Sequence, residues 1–99
     1  MVSLAEVCKA VLKKHSKEQI FRVCEYDTAF ECLLINKNED PIELRKQHGI
    51  LPAVVCYKRN GKIIEDLFPG EWCNYDKEPY RYYEAEEIAN LLREERRGA

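Results

Sequence analysis

Leu51-Pro52-Ala53-Val54-Val55-Cys56-Tyr57-Lys58-Arg59-Asn60-Gly61-Lys62-Ile63-Ile64 decides the fold class of this chain. A proline opens a short run that is apolar from Ala53 to Tyr57. Proline lacks an N–H to give to a ladder, so the first position of a strand suits it. An uninterrupted apolar run suits a strand covered on both faces. Asn60-Gly61 is the strongest short-range hairpin signal. The chain then returns through Lys62 to Phe68, where Glu65 and Asp66 break the apolar character and mark an edge strand. The spacing therefore predicts a β-hairpin, with a helix before it and another after it.

Upstream, Asp40-Pro41-Ile42-Glu43 is a strong helix start. Asp40 caps, Pro41 sits at the first helical position, and Glu43 falls three residues after the cap. Gly49 is a natural stop, and His48 in the last turn favours the negative end of the helix dipole. Ile20 to Tyr26 and Phe30 to Ile35 read as β-formers. Asp27-Thr28-Ala29 between them allows either a hairpin or one bent strand. Ser3 and Glu6 form a capping box. Behind it Leu4, Val7, Cys8, Val11 and Leu12 recur at helical spacing, and Lys9, Lys13 and Lys14 take the wet side.

Downstream, Pro69-Gly70 ends the sheet. Glu71 to Tyr83 is expected to be a loop, dense in aromatic residues. The last helix is expected from about Glu84 to Arg97, with Ala85, Ile88, Ala89, Leu91 and Leu92 as its core stripe.

The 99 residues make one domain, 1–99, near the lower end of comfortable core sizes. A net charge of −2 offers nucleic acid or an anionic membrane no long-range attraction. No apolar run reaches the roughly 20 residues that span a bilayer, and lysines interrupt the first apolar segment, which argues against a secretory signal. Five cysteines, Cys8, Cys24, Cys32, Cys56 and Cys73, are an odd number whose spacings match neither a zinc motif nor a disulfide scaffold. Most lie in apolar runs, where a free thiol behaves as a small hydrophobe. The cytoplasm or another reducing compartment is the expected location.

The order of these elements resembles the second half of a thioredoxin fold. Glu31 to Pro41 resembles the strand that runs into an acidic turn and a short helix. Gln47-His48-Gly49-Ile50-Leu51-Pro52 resembles the approach to the cis-proline, and Lys58 to Lys62 the final hairpin. Together they cover about two thirds of the chain. Leu-Pro with a long loop before the last helix is closest to the phosducin-like branch, whose thioredoxin domain is redox-inactive and binds other proteins. The resemblance implies an α/β fold. The fold it implies is a reduced or variant thioredoxin-like three-layer sandwich, whose mixed sheet ends in a hairpin and a C-terminal helix. It also implies a cis bond at Pro52, carried as structural inheritance. No Cys-x-x-Cys occurs, and only Met1 and Val2 precede Ser3, so the expectation is either a truncated variant without the opening strand-helix-strand or a fold in which Ile20 to Tyr26 is recruited differently to complete the sheet. A sheet short of strands exposes edges and apolar faces that a partner would cover.

The functional expectation is a non-catalytic interaction or assembly subunit with no enzymatic activity, cofactor or metal. Its partners are expected to be other protein subunits of a larger assembly, with neither nucleic acid nor membrane insertion. Trp72, Tyr75, Tyr80, Arg81, Tyr82 and Tyr83 are the expected contacts, since Trp, Tyr and Arg are enriched at interface hot spots. Against them stands the reading that these rings cap a small core. Glu71, Asp76 and Glu78 in the same stretch repel phosphates, which disfavours base stacking. One alternative is a single-cysteine thiol oxidoreductase or redox sensor using Cys73, although Glu71 and Asp76 beside it do not favour a thiolate. Another is a phosducin-like co-chaperone or G-protein regulator. Glu25, Glu31, Asp66 and His15 form no acid–base constellation in the sequence and read as a solvated face. Gly49, Gly61, Gly70 and Gly98 stand alone and make no phosphate loop.

Overall fold

The computed structural model describes residues 3–44, 46, 51–58, 60–67 and 79–98, with the side chains of all but 64–67 and 96–98. Helix α1 (Leu4–Lys14) leads into β1 (Glu18–Glu25) and β2 (Ala29–Asn36). The short α2 (Pro41–Leu44) follows, then β3 (Ala53–Tyr57), β4 (Ile63–Leu67), β5 (Arg81–Glu84) and α3 (Ala85–Gly98). The five strands form one sheet in the order β4-β3-β2-β1-β5.

Local chemistry sets most of these boundaries. The Glu6 N–H donates to Ser3 Oγ at 3.2 Å, closing the first turn of α1. The Ile42 N–H donates to Asp40 Oδ1 at 2.9 Å, and Pro41 opens α2 as expected. Residues 45 and 47–50, where the longer helix with His48 and Gly49 was expected to end, lie outside the described residues. Asp27 to Ala29 is a hairpin turn: β1 and β2 pair antiparallel from Glu18↔Asn36 to Glu25↔Phe30. The Tyr26 N–H donates to the Ala29 carbonyl at 2.8 Å across that turn. At the second hairpin Gly61 takes φ 63°, a left-handed conformation that costs a residue without Cβ nothing. Asn60 Oδ1 accepts from the Lys62 N–H at 3.0 Å beside it. The two hairpin tips are joined where the Lys58 N–H donates to the Thr28 carbonyl at 3.0 Å.

Three expectations are corrected. The sheet is not mixed: β1–β2, β1–β5, β2–β3 and β3–β4 are all antiparallel. Both hairpins are antiparallel by construction, and β2 returns through α2 to a neighbour of opposite direction. Pro52 carries no cis bond, since no peptide among the described residues is cis. Its carbonyl accepts from the Leu34 N–H at 2.9 Å, so a trans proline already enters the ladder ahead of β3. The stretch Arg81–Glu84 is a strand rather than a loop, paired with β1 from Arg22↔Glu84 to Glu25↔Arg81. β4 lies at an edge, as the Glu65-Asp66 pair predicted.

Alternation along β2 divides the sheet into two faces. Phe30, Cys32 and Leu34 join Ile20, Val23, Val54 and Cys56 under Val7, Cys8 and Val11 of α1 and Ile88 of α3. Both long helices therefore share one face. On the other face Ala29, Glu31, Ile35 and Val55 are buried as well, which matches the uninterrupted apolar run of β3. In α3 only Ile88 of the expected stripe is fully buried; Ala85, Leu91 and Leu92 are partly so and Ala89 is exposed. An α3 that packs at the sheet margin against α1, β1 and β5 has one covered flank and leaves Ala89 in water.

Candidate functional site

β5 forms one margin of the sheet, and its outer edge pairs with no other strand among the described residues. Tyr80 is 73% exposed and Tyr82 is 50% exposed; with Ile42 they are the exposed large apolar side chains of the described residues. Arg81 between them is exposed as well. Three of the expected contact residues, Tyr80, Arg81 and Tyr82, thus stand together at an open sheet edge. Tyr83 points to the helix-covered face and is half-buried against the core. Trp72, Tyr75 and Cys73 lie outside the described residues.

β5 is fastened from both faces. On the helix side Tyr83 donates its hydroxyl to Glu25 Oε1 at 2.8 Å, and the Lys58 ammonium donates to Glu25 Oε2. The Lys58 ammonium also lies 5.0 Å from the Phe30 ring centre and 5.5 Å from that of Tyr80. The Tyr80 N–H donates to the Glu25 carbonyl at 2.7 Å. The Arg81 guanidinium stacks 4.3 Å from the Tyr83 ring centre and donates to Glu87 Oε2 at 3.0 Å. On the opposite face Arg22 donates to Glu84 Oε1 at 2.9 Å. Its guanidinium sits between Phe21 at 5.6 Å and Tyr82 at 5.4 Å. A register shift between Ile20 and Arg22 leaves Phe21 as the extra residue beside this stack.

Electrostatics at Glu25 follow from this geometry. Burial alone would raise its carboxyl, with the side chain only 17% exposed. The hydrogen bonds from Lys58 and Tyr83, with the charges of Lys58 and Arg81, outweigh burial and hold it below its ordinary value. Tyr83 moves the other way: burial, and then its bond to the Glu25 carboxylate, push the phenol up. A carboxylate neutralised by a lysine and a phenol held protonated form a structural pair.

Between α3, β5 and the start of α1 lies an open groove of about 370 Å³. Leu4, Tyr83 and Leu91 give it apolar walls, and Arg81, Glu87 and Glu94 give it a charged rim. The thiols stand elsewhere. Cys8, Cys24, Cys32 and Cys56 are buried. Cys32 donates its S–H toward Cys56 and Cys8, and these bonds together with burial push its thiol well up. A raised, enclosed thiol is chemically quiet. Among the described residues no group of three or more His, Cys, Asp or Glu side chains is placed to hold a metal ion, and no helix is long and apolar enough to cross a membrane.

Sequence reasoning missed the Glu25–Lys58–Tyr83 cluster and treated Glu25 and Glu31 as solvated. Glu31 is 4% exposed, opposite Cys24 and Val55 on the face away from the helices. Counting alternation from Phe30 would have placed Glu31 with Leu33 and Ile35 on one covered face. Nothing local in the sequence pairs Glu25 with residues 33 and 58 positions away. No family model, curated protein or solved structure matches this chain.

Proposed function

We propose that the protein is a non-catalytic interaction subunit that engages other protein through β5 and the residues around it. The observation that carries this reading is the exposure of Tyr80, Arg81 and Tyr82 together at the start of a strand whose outer edge has no neighbour among the described residues. Tyrosine and arginine supply large contact area at small entropic cost. An open edge supplies backbone donors and acceptors for an added strand. The four described thiols are all buried, which favours this reading over thiol chemistry at those positions. A reduced or variant thioredoxin-like frame is the finer proposal about the fold. It is supported by the chain order from β2 through α2 and the β3–β4 hairpin to a closing helix. The antiparallel pairing throughout and the trans bond at Pro52 weigh against it.

The test is the native size of the endogenous chain in a gentle extract, compared with its own 11.7 kDa. Elution in a larger complex, lost on Tyr80→Ala with Tyr82→Ala while the circular dichroism stays unchanged, is the expected result. Elution as a lone monomer would remove the proposal.

A further inference from the structure

The two edges of the sheet formed by the described residues are chemically unlike. β4 carries Glu65-Asp66 in its sequence, and its ladder with β3 shifts register between Val54 and Cys56. Charge and irregularity of this kind blunt an edge against further pairing. β5 carries one charge of each sign, Arg81 and Glu84, where β4 carries two of the same sign, and its ladder shows no register shift. Its four residues keep an unbroken register with β1, and Pro79 stands two residues ahead of the strand.

We infer that β5 is the seam of a symmetric dimer, in which it pairs antiparallel with β5 of a second copy and two five-stranded sheets become one. This rests on the reading of the chain as an interaction subunit and names its partner. A two-fold axis normal to the sheet keeps each face continuous, so residues that oppose each other must belong to the same face. Arg81 and Tyr83 share one face of β5; Tyr82 and Glu84 share the other. Two registers meet that condition near the middle of the strand. Centring on Tyr83 sets Arg81 against Ala85, which already belongs to α3, and shortens the ladder. Centring on Tyr82 uses the whole strand. Tyr82 then faces Tyr82 of the second copy, an aromatic cross-strand pair. Arg81 faces Tyr83 of the second copy, so a guanidinium meets an aromatic ring at both ends. No like charges stand directly opposite. Tyr80 falls opposite Glu84 and extends the contact.

The same axis sets α3 of the two copies side by side and antiparallel over the seam, because α3 packs on β1 and β5. The self-pairing is thus supported by the strand register and by the ring contacts that register creates.

Sedimentation equilibrium of the purified full chain across a concentration series tests this. The expected result is a reversible monomer–dimer equilibrium. Tyr82→Lys sets two ammonium groups against each other and should weaken it by roughly tenfold or more, with the circular dichroism unchanged. Tyr82→Cys keeps the test open should the lysine variant fail to fold. With oxidised glutathione as oxidant it should give a covalent dimer, and peptide mapping should find the bond between the two position-82 sulfurs. A chain that is monomeric up to roughly 1 mM overturns the dimer. A dimer that Tyr82→Lys leaves intact, or that yields no bond at position 82, overturns the seam. If the pure chain is monomeric yet the endogenous chain elutes in a large complex, self-pairing falls and the interaction reading survives. A monomer in both settings removes both.

Discussion

β1 has a neighbour on each side, and the two seams are held by different physics. Toward β2 it pairs along its whole length, and Ile20 and Val23 meet Leu34 and Cys32 inside the apolar core. Toward β5 it pairs over four residues, fastened by Arg22–Glu84, by Glu25 with Tyr83 and Lys58, and by guanidinium–ring stacking. Apolar burial is indifferent to pH and to moderate salt, whereas the second set of contacts depends on both. The β5 seam is therefore the adjustable one. It is also where the exposed aromatic residues are placed. A strand that meets a partner benefits from a firm position on a sheet, and here polar clamps supply it at a margin too narrow for a core of its own.

Four variants sharpen or break this contrast. The largest effect is expected at the inner seam. Leu34→Ala removes a buried side chain under α1 and should cost about 3 kcal/mol, lowering the denaturant midpoint of the whole fold. If it loosened only β5, the assignment of Leu34 to the common core would fail.

Next is Glu25→Gln, which takes the charge from between Lys58 and Tyr83. It should cost about 2 kcal/mol at neutral pH, and native-state hydrogen exchange should show the β5 amides opening before those of β2. The pH dependence has a defined sign. The Glu25 carboxyl is held below its ordinary value, so its contribution is full above the unfolded pKa of about 4.3 and is lost as pH falls through the lower folded value. Tyr83 is raised, so its contribution is full below about pH 10 and is lost as pH rises through the higher folded value. The stability difference between wild type and Glu25→Gln should therefore shrink in acid, measured by urea titration from pH 7 to pH 2. A difference that persists in full at pH 2 would sink the assignment.

Arg22→Met should be milder. It keeps an apolar stem between Phe21 and Tyr82 and loses the bond to Glu84, at a cost of about 1 kcal/mol. Raising the salt should narrow the gap from wild type. The smallest effect is expected for Lys9→Met. Lys9 and Glu95 are 3.6 Å apart, but both side chains are largely in water, and the change should stay within about 0.5 kcal/mol by thermal melt.

Most of the architecture was legible because its signals are local. Ser3 with Glu6, Asp40-Pro41 and Asn60-Gly61 each act within a few residues, and each marks a boundary where the structure has one. The apolar run after Pro52 announced a strand covered on both sides. β5 was hidden because its pairing is remote. Arg81–Glu84 is short and polar, and it becomes a strand only when β1 arrives beside it. For the same reason the direction of the sheet was misjudged. A short helix between two strands usually marks a parallel crossover, whereas here β2 and β3 pair antiparallel across it. Of the site, Tyr80, Arg81 and Tyr82 were found from residue type alone. Their fastening through Glu25 and Arg22 was not, since opposite charges far apart in sequence carry no mark of contact.

The place of β5 in the chain has a consequence for how the molecule is made. Its partner Glu25 leaves the ribosome early, and Tyr83 follows 58 positions later. At about 5–20 residues per second, the outer edge of β1 waits on the order of several seconds for its neighbour. Until then β1 is itself a margin, with Ile20 and Val23 beside it and α3 not yet synthesised to cover them. The residues from Tyr80 through α3 therefore act as a closing clasp on the meander β4-β3-β2-β1. A nascent chain stalled before Tyr80 is the form most exposed to capture by a chaperone or by another unfinished copy.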